Sequence, residues 1–158
     1  MCTPSNAAAD LLVDRLAVAG LNDTELFRLN AYSRDEEEIP EGVRPFSLLS
    51  KRAELLAYRV VLSTCSSTGL LQTLNVPARH FSHIVIDEAA QADEPLAMIP
   101  IANFSTGSTN IILAGDPHQL GPVIKSPTAS TAGLGRSYLD RLMRIRQVYG
   151  LDTQGGTT

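Results

Sequence analysis

The stretch His83-Ile84-Val85-Ile86-Asp87-Glu88-Ala89-Ala90-Gln91 constrains the fold more than any other part of this chain. A run of four residues, three of them aliphatic, breaks directly into two adjacent carboxylates. A short apolar run without polar alternation is the pattern of a parallel strand buried on both faces. Where such a strand ends the chain must leave the sheet, and ligands of open α/β sheets collect at the carboxyl ends of strands. An Asp there can hold Mg²⁺ through water, and the neighbouring Glu can polarise a nucleophilic water. A strand followed by a solvated acidic turn accounts for the same residues, so the stretch alone leaves both readings open.

Two further runs repeat the pattern. Arg59-Val60-Val61-Leu62-Ser63-Thr64-Cys65 reads as a buried strand, followed by the small polar loop Ser66-Ser67-Thr68-Gly69. Asn110-Ile111-Ile112-Leu113-Ala114 reads as another buried strand, ending at Gly115-Asp116-Pro117-His118-Gln119-Leu120-Gly121-Pro122. Met1 to Asn6 reads like the end of a strand. Pro4 ends extended structure there, and Ser5 or Asn6 is placed to cap a helix. Ala7, Leu11, Leu12, Leu16 and Ala19 keep one apolar stripe along that helix, and Gly20 stops it.

Leu26 to Tyr32 reads as a short strand with Phe27, Leu29 and Ala31 on one face. Asp35 to Glu41 reads as a solvated acidic loop closed by Pro40 and Gly42. Helices are expected over 45–57, with Lys51 and Arg52 exposed, and over 92–98, ended by Pro100. A last amphipathic helix carries Tyr138, Leu139, Leu142 and Ile145 and runs up to Gly150. Residues 70–79 read as irregular, 103–110 as a loop, and 126–135 as small, polar and mobile. The tail from Asp152 has no apolar residue and reads as disordered. Strands alternating with helices in this way predict an α/β domain with a parallel sheet.

Composition narrows the function classes. The 158 residues carry a formal net charge of −4, which argues against a domain whose whole surface grips nucleic acid. No apolar run approaches the roughly 18 residues that span a bilayer, and no secretory signal opens the chain. The two cysteines, Cys2 and Cys65, lack metal-ligand spacing and fit a reducing compartment. Cys65 follows an apolar run and is expected to be a buried, inert thiol. His118 reads as a loop residue, and His80 and His83 as structural residues framing a strand start.

Three strand ends therefore share one design: hydroxyls at Ser63 to Thr68, carboxylates and an amide at Asp87 to Gln91, and Asp116 with Gln119. In a parallel sheet all three loops open at the same edge and form a plausible site. Asp-Glu-Ala-Ala-Gln after one strand and Gly-Asp-Pro-His-Gln-Leu-Gly-Pro after the next resemble motifs II and III of superfamily 1 helicases. The resemblance is closest to the up-frameshift-like RNA helicases of the silencing-defective/Armitage subgroup. Thr3-Pro4-Ser5-Asn6 resembles their motif Ia, and Ser63-Thr64-Cys65-Ser66-Ser67 the hydroxyl-rich strand end that follows it. Gly133-Leu134-Gly135-Arg136-Ser137-Tyr138-Leu139 also resembles that subgroup, so the likeness covers roughly residues 1 to 145.

The resemblance implies a RecA-like (P-loop NTPase) fold over residues 1–150, with 151–158 as a disordered tail. It implies that Asp87 binds the Mg²⁺ of Mg-ATP through water and that Glu88 orients the water attacking the γ-phosphate. This is phosphoryl transfer by positioning and charge neutralisation. Gln91 is expected to face the nucleotide, Gln119 to sense the γ-phosphate, and Asp116 to hold that loop. Pro4, Ser5, Asn6, Ser63, Thr64 and Ser66 are expected along single-stranded RNA, where hydroxyls and amides bind phosphate and sugar without reading sequence. Helix capping is a rival role for Ser5 and Asn6.

The phosphate-binding loop G-x-x-x-x-G-K-[ST] is absent. The only lysines are Lys51 and Lys125, and neither follows a glycine. In the family that loop lies upstream of motif Ia. The domain is therefore expected to be incomplete at its N-terminal side, to lack the second RecA-like domain, and to be inactive alone. An exposed sheet edge or apolar face and marginal stability follow from the same expectation. The whole protein is expected to be a cytoplasmic ATP-dependent RNA helicase. A short RNA-binding or helicase-binding protein without catalysis, or part of a DNA helicase, remains open.

Overall fold

The computed structural model describes residues 1–47 and 55–148. Five strands form one sheet: β1 (Cys2–Thr3), β2 (Leu26–Arg28), β3 (Val60–Thr64), β4 (His83–Ile86) and β5 (Asn110–Leu113). They lie in the order β2-β3-β1-β4-β5, and every neighbouring pair is parallel. Helices lie at α1 (Asn6–Val18), α2 (Leu70–Thr73), α3 (Glu94–Phe104), α4 (Pro127–Ala129) and α5 (Tyr138–Val148) among the described residues. This is the expected α/β parallel-sheet class.

Both faces of the inner strands are covered, which is why those strands show no polar alternation. Leu26 and Leu62 turn to one side and pack with Ala9 and Val13 of α1 and with Ile39 and Val43. Phe27 and Val61 turn to the other side, where Ile84, Ile86, Leu71, Ala97, Ile101 and Phe104 form the larger core. Fully burying one such side chain contributes about 1.5–3 kcal/mol.

The shortest strand is the central one. Cys2 and Thr3 of β1 pair with Ser63 and Thr64 of β3 on one side, and Cys2 pairs with Ile86 of β4 on the other. Pro4, which has no N–H, then ends the ladder. Ser5 caps α1 by accepting from the Ala8 N–H at 3.2 Å, and the helix runs to Val18 before Gly20 at φ +102°.

Several expectations are corrected. β2 stops at Arg28 rather than Tyr32: Leu29 still donates to the Leu62 carbonyl at 2.8 Å, but the chain then turns, with the Arg34 N–H on Ala31. Among the described residues β5 is an edge strand with a single partner, β4, and neither face is covered over Ile111 and Ile112, which stand 43% and 47% exposed instead of buried.

Pro100 lies inside α3 rather than ending it. The helix begins under Asp93, whose carboxylate accepts from the Leu96 N–H at 2.9 Å, and Pro95 fits its first turn. Pro100 forfeits one helix hydrogen bond, but its ring is buried beside Phe104 and Ser63.

Ser66–Gly69 is a 3₁₀ turn with Ser67 and Thr68 buried, not an open loop. In the irregular 70–79 stretch, Leu70–Thr73 is helical. Residues 126–135 form helical turns, α4 followed by a π-helical Ser130–Leu134. Arg44–Ser47 is a 3₁₀ turn; most of the helix expected over 45–57, with Lys51 and Arg52, lies outside the described residues, as does the tail. Among the described residues no helix is long and apolar enough to cross a membrane.

Candidate functional site

The parallel register brings four strand ends to one edge. Thr3 stands beside Thr64, and Ile86 beside Leu113. Backbone bonds carry the alignment past the strands. The Cys65 N–H donates to Thr3 O at 2.8 Å, Asp87 N–H to Cys2 O at 2.9 Å, and Ala114 N–H to Ile86 O at 2.8 Å. The loops after β1, β3, β4 and β5 therefore leave the sheet side by side, as the polar strand ends predicted.

The loop after β4 is a tight turn. Glu88 adopts φ +54°, a left-handed conformation that costs a non-glycine residue about 1–2 kcal/mol. The Gln91 N–H donates to Glu88 O at 2.9 Å. The Gln91 amide also donates to Glu88 Oε2 at 3.0 Å, so these two candidates are joined. Ala89, Ala90 and Ala92 are buried beneath the turn.

Small residues are required there because the next turn presses on them. Gly115 has φ +151°, and a Cβ on it would stand 3.0 Å from the Ala89 and Ala90 nitrogens. The Ala89 N–H donates to Ala114 O at 2.8 Å. The two acid-bearing loops are thus packed backbone on backbone.

Asp87 and Glu88 are half-buried, and neither makes an ion pair among the described residues. Two uncompensated carboxylates at a sheet edge favour a hard cation held through water. No group of three or more His, Cys, Asp or Glu that could hold a metal occurs among the described residues. Asp87 would thus supply one carboxylate to a Mg²⁺ that arrives with its phosphate, since the described residues offer no protein cage for a resident metal.

In the loop after β5, Asp116 accepts from the His118 N–H at 2.9 Å and from the Gln119 amide at 3.3 Å. Asp116 thus braces this loop, and Gln119 is exposed at its tip. Beyond it Leu120 and Val123 are 84% and 89% exposed.

The proposed RNA residues divide. Pro4, Ser5, Asn6 and Ser66 reach the surface wholly or in part. Ser63 does not: it is 1% exposed, because its position in β3 turns it into the interior beside Pro100 and Phe104. Thr64 is also buried and donates to Ser67 Oγ at 2.8 Å, shaping the 3₁₀ turn. Helix capping, the rival role for Ser5, is present in the geometry.

Cys2 and Cys65 are both buried; contact with Cys2, then burial, pushes the Cys65 thiol up. His83 is exposed and its ring bonds Ser82 Oγ at 2.9 Å, while His80 packs edge-on to Phe81.

A buried charge cluster behind the Thr3–Asn6 strand end escaped the sequence reading. Arg28 is 0% exposed. Its Nε donates to Asp10 Oδ1 at 3.0 Å, Nη1 to Leu29 O at 2.6 Å, and Nη2 to Asn6 Oδ1 at 2.9 Å. Arg34 donates to Asp10 Oδ2 at 2.6 Å and to Asn30 Oδ1 at 2.8 Å. Burial lowers the Arg28 guanidinium from its ordinary range against the opposing pull of Asp10, whereas hydrogen bonding to Asp10 raises that of Arg34. The available signal was an arginine inside an apolar strand and an aspartate beside the buried Ala9 of α1.

The last helix is fastened to α3. Arg141 Nε donates to Glu94 Oε2 at 2.7 Å, its guanidinium lies 5.2 Å over the Tyr138 ring, and Asp93 bridges to Ser137.

The sequence pattern of the AAA domain family matches residues 49–127, which include β3, β4 and β5. The chain is 43% identical over 145 residues to the RNA helicase Mov10l1 of Homo sapiens, covering 90% of this chain and 12% of that protein. It is 38% identical over 172 residues to the putative helicase MOV-10 of Gallus gallus, covering 98% and 18%. It is 32% identical over 177 residues to the probable RNA helicase armi of Drosophila melanogaster, covering 96% and 15%. The chain thus spans less than a fifth of the length of these relatives. With a parallel sheet whose successive strand ends bear Thr-Pro-Ser-Asn, Asp-Glu-Ala-Ala-Gln and Gly-Asp-Pro-His-Gln, the chain belongs to the AAA domain family, among the superfamily 1 helicases of the up-frameshift-like type.

Proposed function

We propose that residues 1–150 form the motif Ia to motif III part of the first RecA-like domain of an ATP-dependent RNA helicase that moves along single-stranded RNA. The observation that carries this reading is the packing of the Asp87-Glu88 turn on Gly115, with both carboxylates free of ion pairs among the described residues. Mg²⁺ bound with ATP supplies charge neutralisation on the phosphates. Asp87 holds that ion through water. Glu88 accepts a hydrogen bond from the attacking water and orients it, while Gln91 fixes the Glu88 carboxylate.

Gln119, on the loop that Asp116 braces, reports on the γ-phosphate. The edge formed by Pro4, Ser5, Asn6 and Ser66 takes the RNA backbone. Thr64 shapes that edge from within and Ser63 lies beneath it, so both serve by packing. The names of the relatives favour RNA over DNA. The 158 residues contain no G-x-x-x-x-G-K-[ST] loop, so the carboxylates depend on a phosphate cradle and a second domain from outside this chain.

The test is phosphate release with RNA or DNA added, from the isolated chain and from the intact protein that contains it. The isolated chain is expected to release none. The intact protein is expected to respond to RNA, and Glu88→Gln to slow it by about 10²–10⁴-fold. RNA-stimulated turnover by the isolated chain, or full activity of the Gln variant, would contradict this reading.

A further inference from the structure

The buried arginine behind motif Ia has a geometry that ordinary core packing does not require. All three nitrogens of Arg28 are committed, to Asp10, to the Leu29 carbonyl and to Asn6 Oδ1. Asp10 is in turn gripped by Arg34 through two nitrogens, and Arg34 is tied to Asn30 and to the Glu38 carbonyl. Two guanidinium groups share one carboxylate, so the cluster carries an excess positive charge, and Arg34 Nε is buried without a partner. A hydrophobic replacement of such a cluster is often no less stable. Stability alone therefore explains it poorly, and what it does determine is direction.

A guanidinium has donors and no acceptor. The atom of Asn6 that faces Arg28 is therefore its carbonyl oxygen, and the amide NH₂ points away from the cluster. Asn6 is half-buried at the first position of α1, beside the exposed Ser5. No acceptor among the described residues takes its Nδ2. The outward face of Asn6 is thus donor-only, and donors suit phosphate and ribose oxygens without reading bases.

We infer that Arg28 is a positioning residue for nucleic-acid binding: from inside the fold it locks the Asn6 amide so that both its N–H groups face the RNA backbone. This rests on the RNA-helicase reading above. The lock is relayed through Asp10 and Arg34 from the 30–38 segment, so the contact surface is set by residues that never touch RNA.

Two substitutions in the intact protein separate this role from structural support. Asn6→Asp keeps an oxygen for Arg28, with a charge-assisted bond, but turns an acceptor outward. Arg28→Met fills the space without donors and frees the amide to turn. Binding is read by anisotropy of fluorescein-labelled oligouridine, with thermal melts alongside. Asn6→Asp is expected to melt no lower than wild type and to weaken oligouridine binding by about 10-fold, the equivalent of about 1.4 kcal/mol.

Arg28→Met is expected to raise the oligouridine concentration for half-maximal phosphate release while leaving the rate at saturating RNA unchanged. Wild-type affinity in a folded Asn6→Asp protein overturns the inference. So does a folded Arg28→Met protein with an unchanged half-maximal concentration. Should Arg28→Met not fold, Arg28→Lys, which keeps the charge beside Asp10 but loses the planar fork that also reaches Asn6, takes its place with the same two outcomes. Failure of the wild-type protein to bind oligouridine at all would instead overturn the parent reading, and this inference with it.

Discussion

Gly115 lies so close beneath Ala89 that a Cβ added to it would stand 3.0 Å from the Ala89 nitrogen. The neighbour that would have to yield is backbone, and it is already fixed by the Ala89 N–H bond to Ala114 O. Gly115→Ala therefore meets both a steric limit and a φ of +151° that side chains disfavour. Such backbone strain costs about 1–3 kcal/mol. The loss is expected as a lower melting temperature, together with slower phosphate release by the intact protein, because the displaced turn carries Glu88, the proposed water-orienting residue. A variant that keeps both would show that the loops are not mechanically joined.

Ion pairs in this protein differ sharply in what they hold. Arg59 and Glu25 meet at 2.7 Å, but Arg59 is 78% exposed, so Glu25→Gln is expected to cost less than about 1 kcal/mol. Asp10→Asn leaves Arg28 and Arg34 buried without their shared carboxylate and is expected to cost about 3–5 kcal/mol. Denaturant melts of the two variants check this ordering; equal losses would mean that the buried cluster is solvated.

Among the described residues β5 offers an unpaired edge and two exposed isoleucines. Edges of this kind recruit further strands unless charge or cover blocks them. Ile111→Lys is expected to leave the melt within about 0.5 kcal/mol, as exposed substitutions do, and to reduce self-association of the isolated chain. Sedimentation of wild type and variant at matched concentration tests it. A wild-type chain that is monomeric throughout would count against a sticky edge.

The inner strands were legible because burial on both faces leaves an uninterrupted apolar signature, as at Val60 to Leu62 and Ile84 to Ile86. Their ends were legible because hydroxyls and carboxylates follow abruptly. The exposure of Ile111 and Ile112 was not, since an edge strand of the same composition differs only in its neighbours. Arg28 misled for a related reason: a cation in a strand ordinarily faces water, and only the fold brings Asp10 and Asn6 to it. Ser63 sits in a run of hydroxyls of which only Ser66 reaches the surface, and which of them turns outward depends on strand phase and on the 3₁₀ turn. Pro100 was read by its local rule, which burial against the sheet overrode.

The place of β1 has a consequence for how the molecule acquires its shape. Two residues near one end of the chain lie between strands that pair with them across some sixty and eighty-four positions, Cys2 with Ser63 and with Ile86. Loop-closure entropy must be overcome before either pairing returns anything. The middle of the sheet is therefore expected to close late, after α1 and the α2 region have formed locally. Until then the hydroxyl and carboxylate loops have no common edge, so the site comes into being only with the last long-range step of folding.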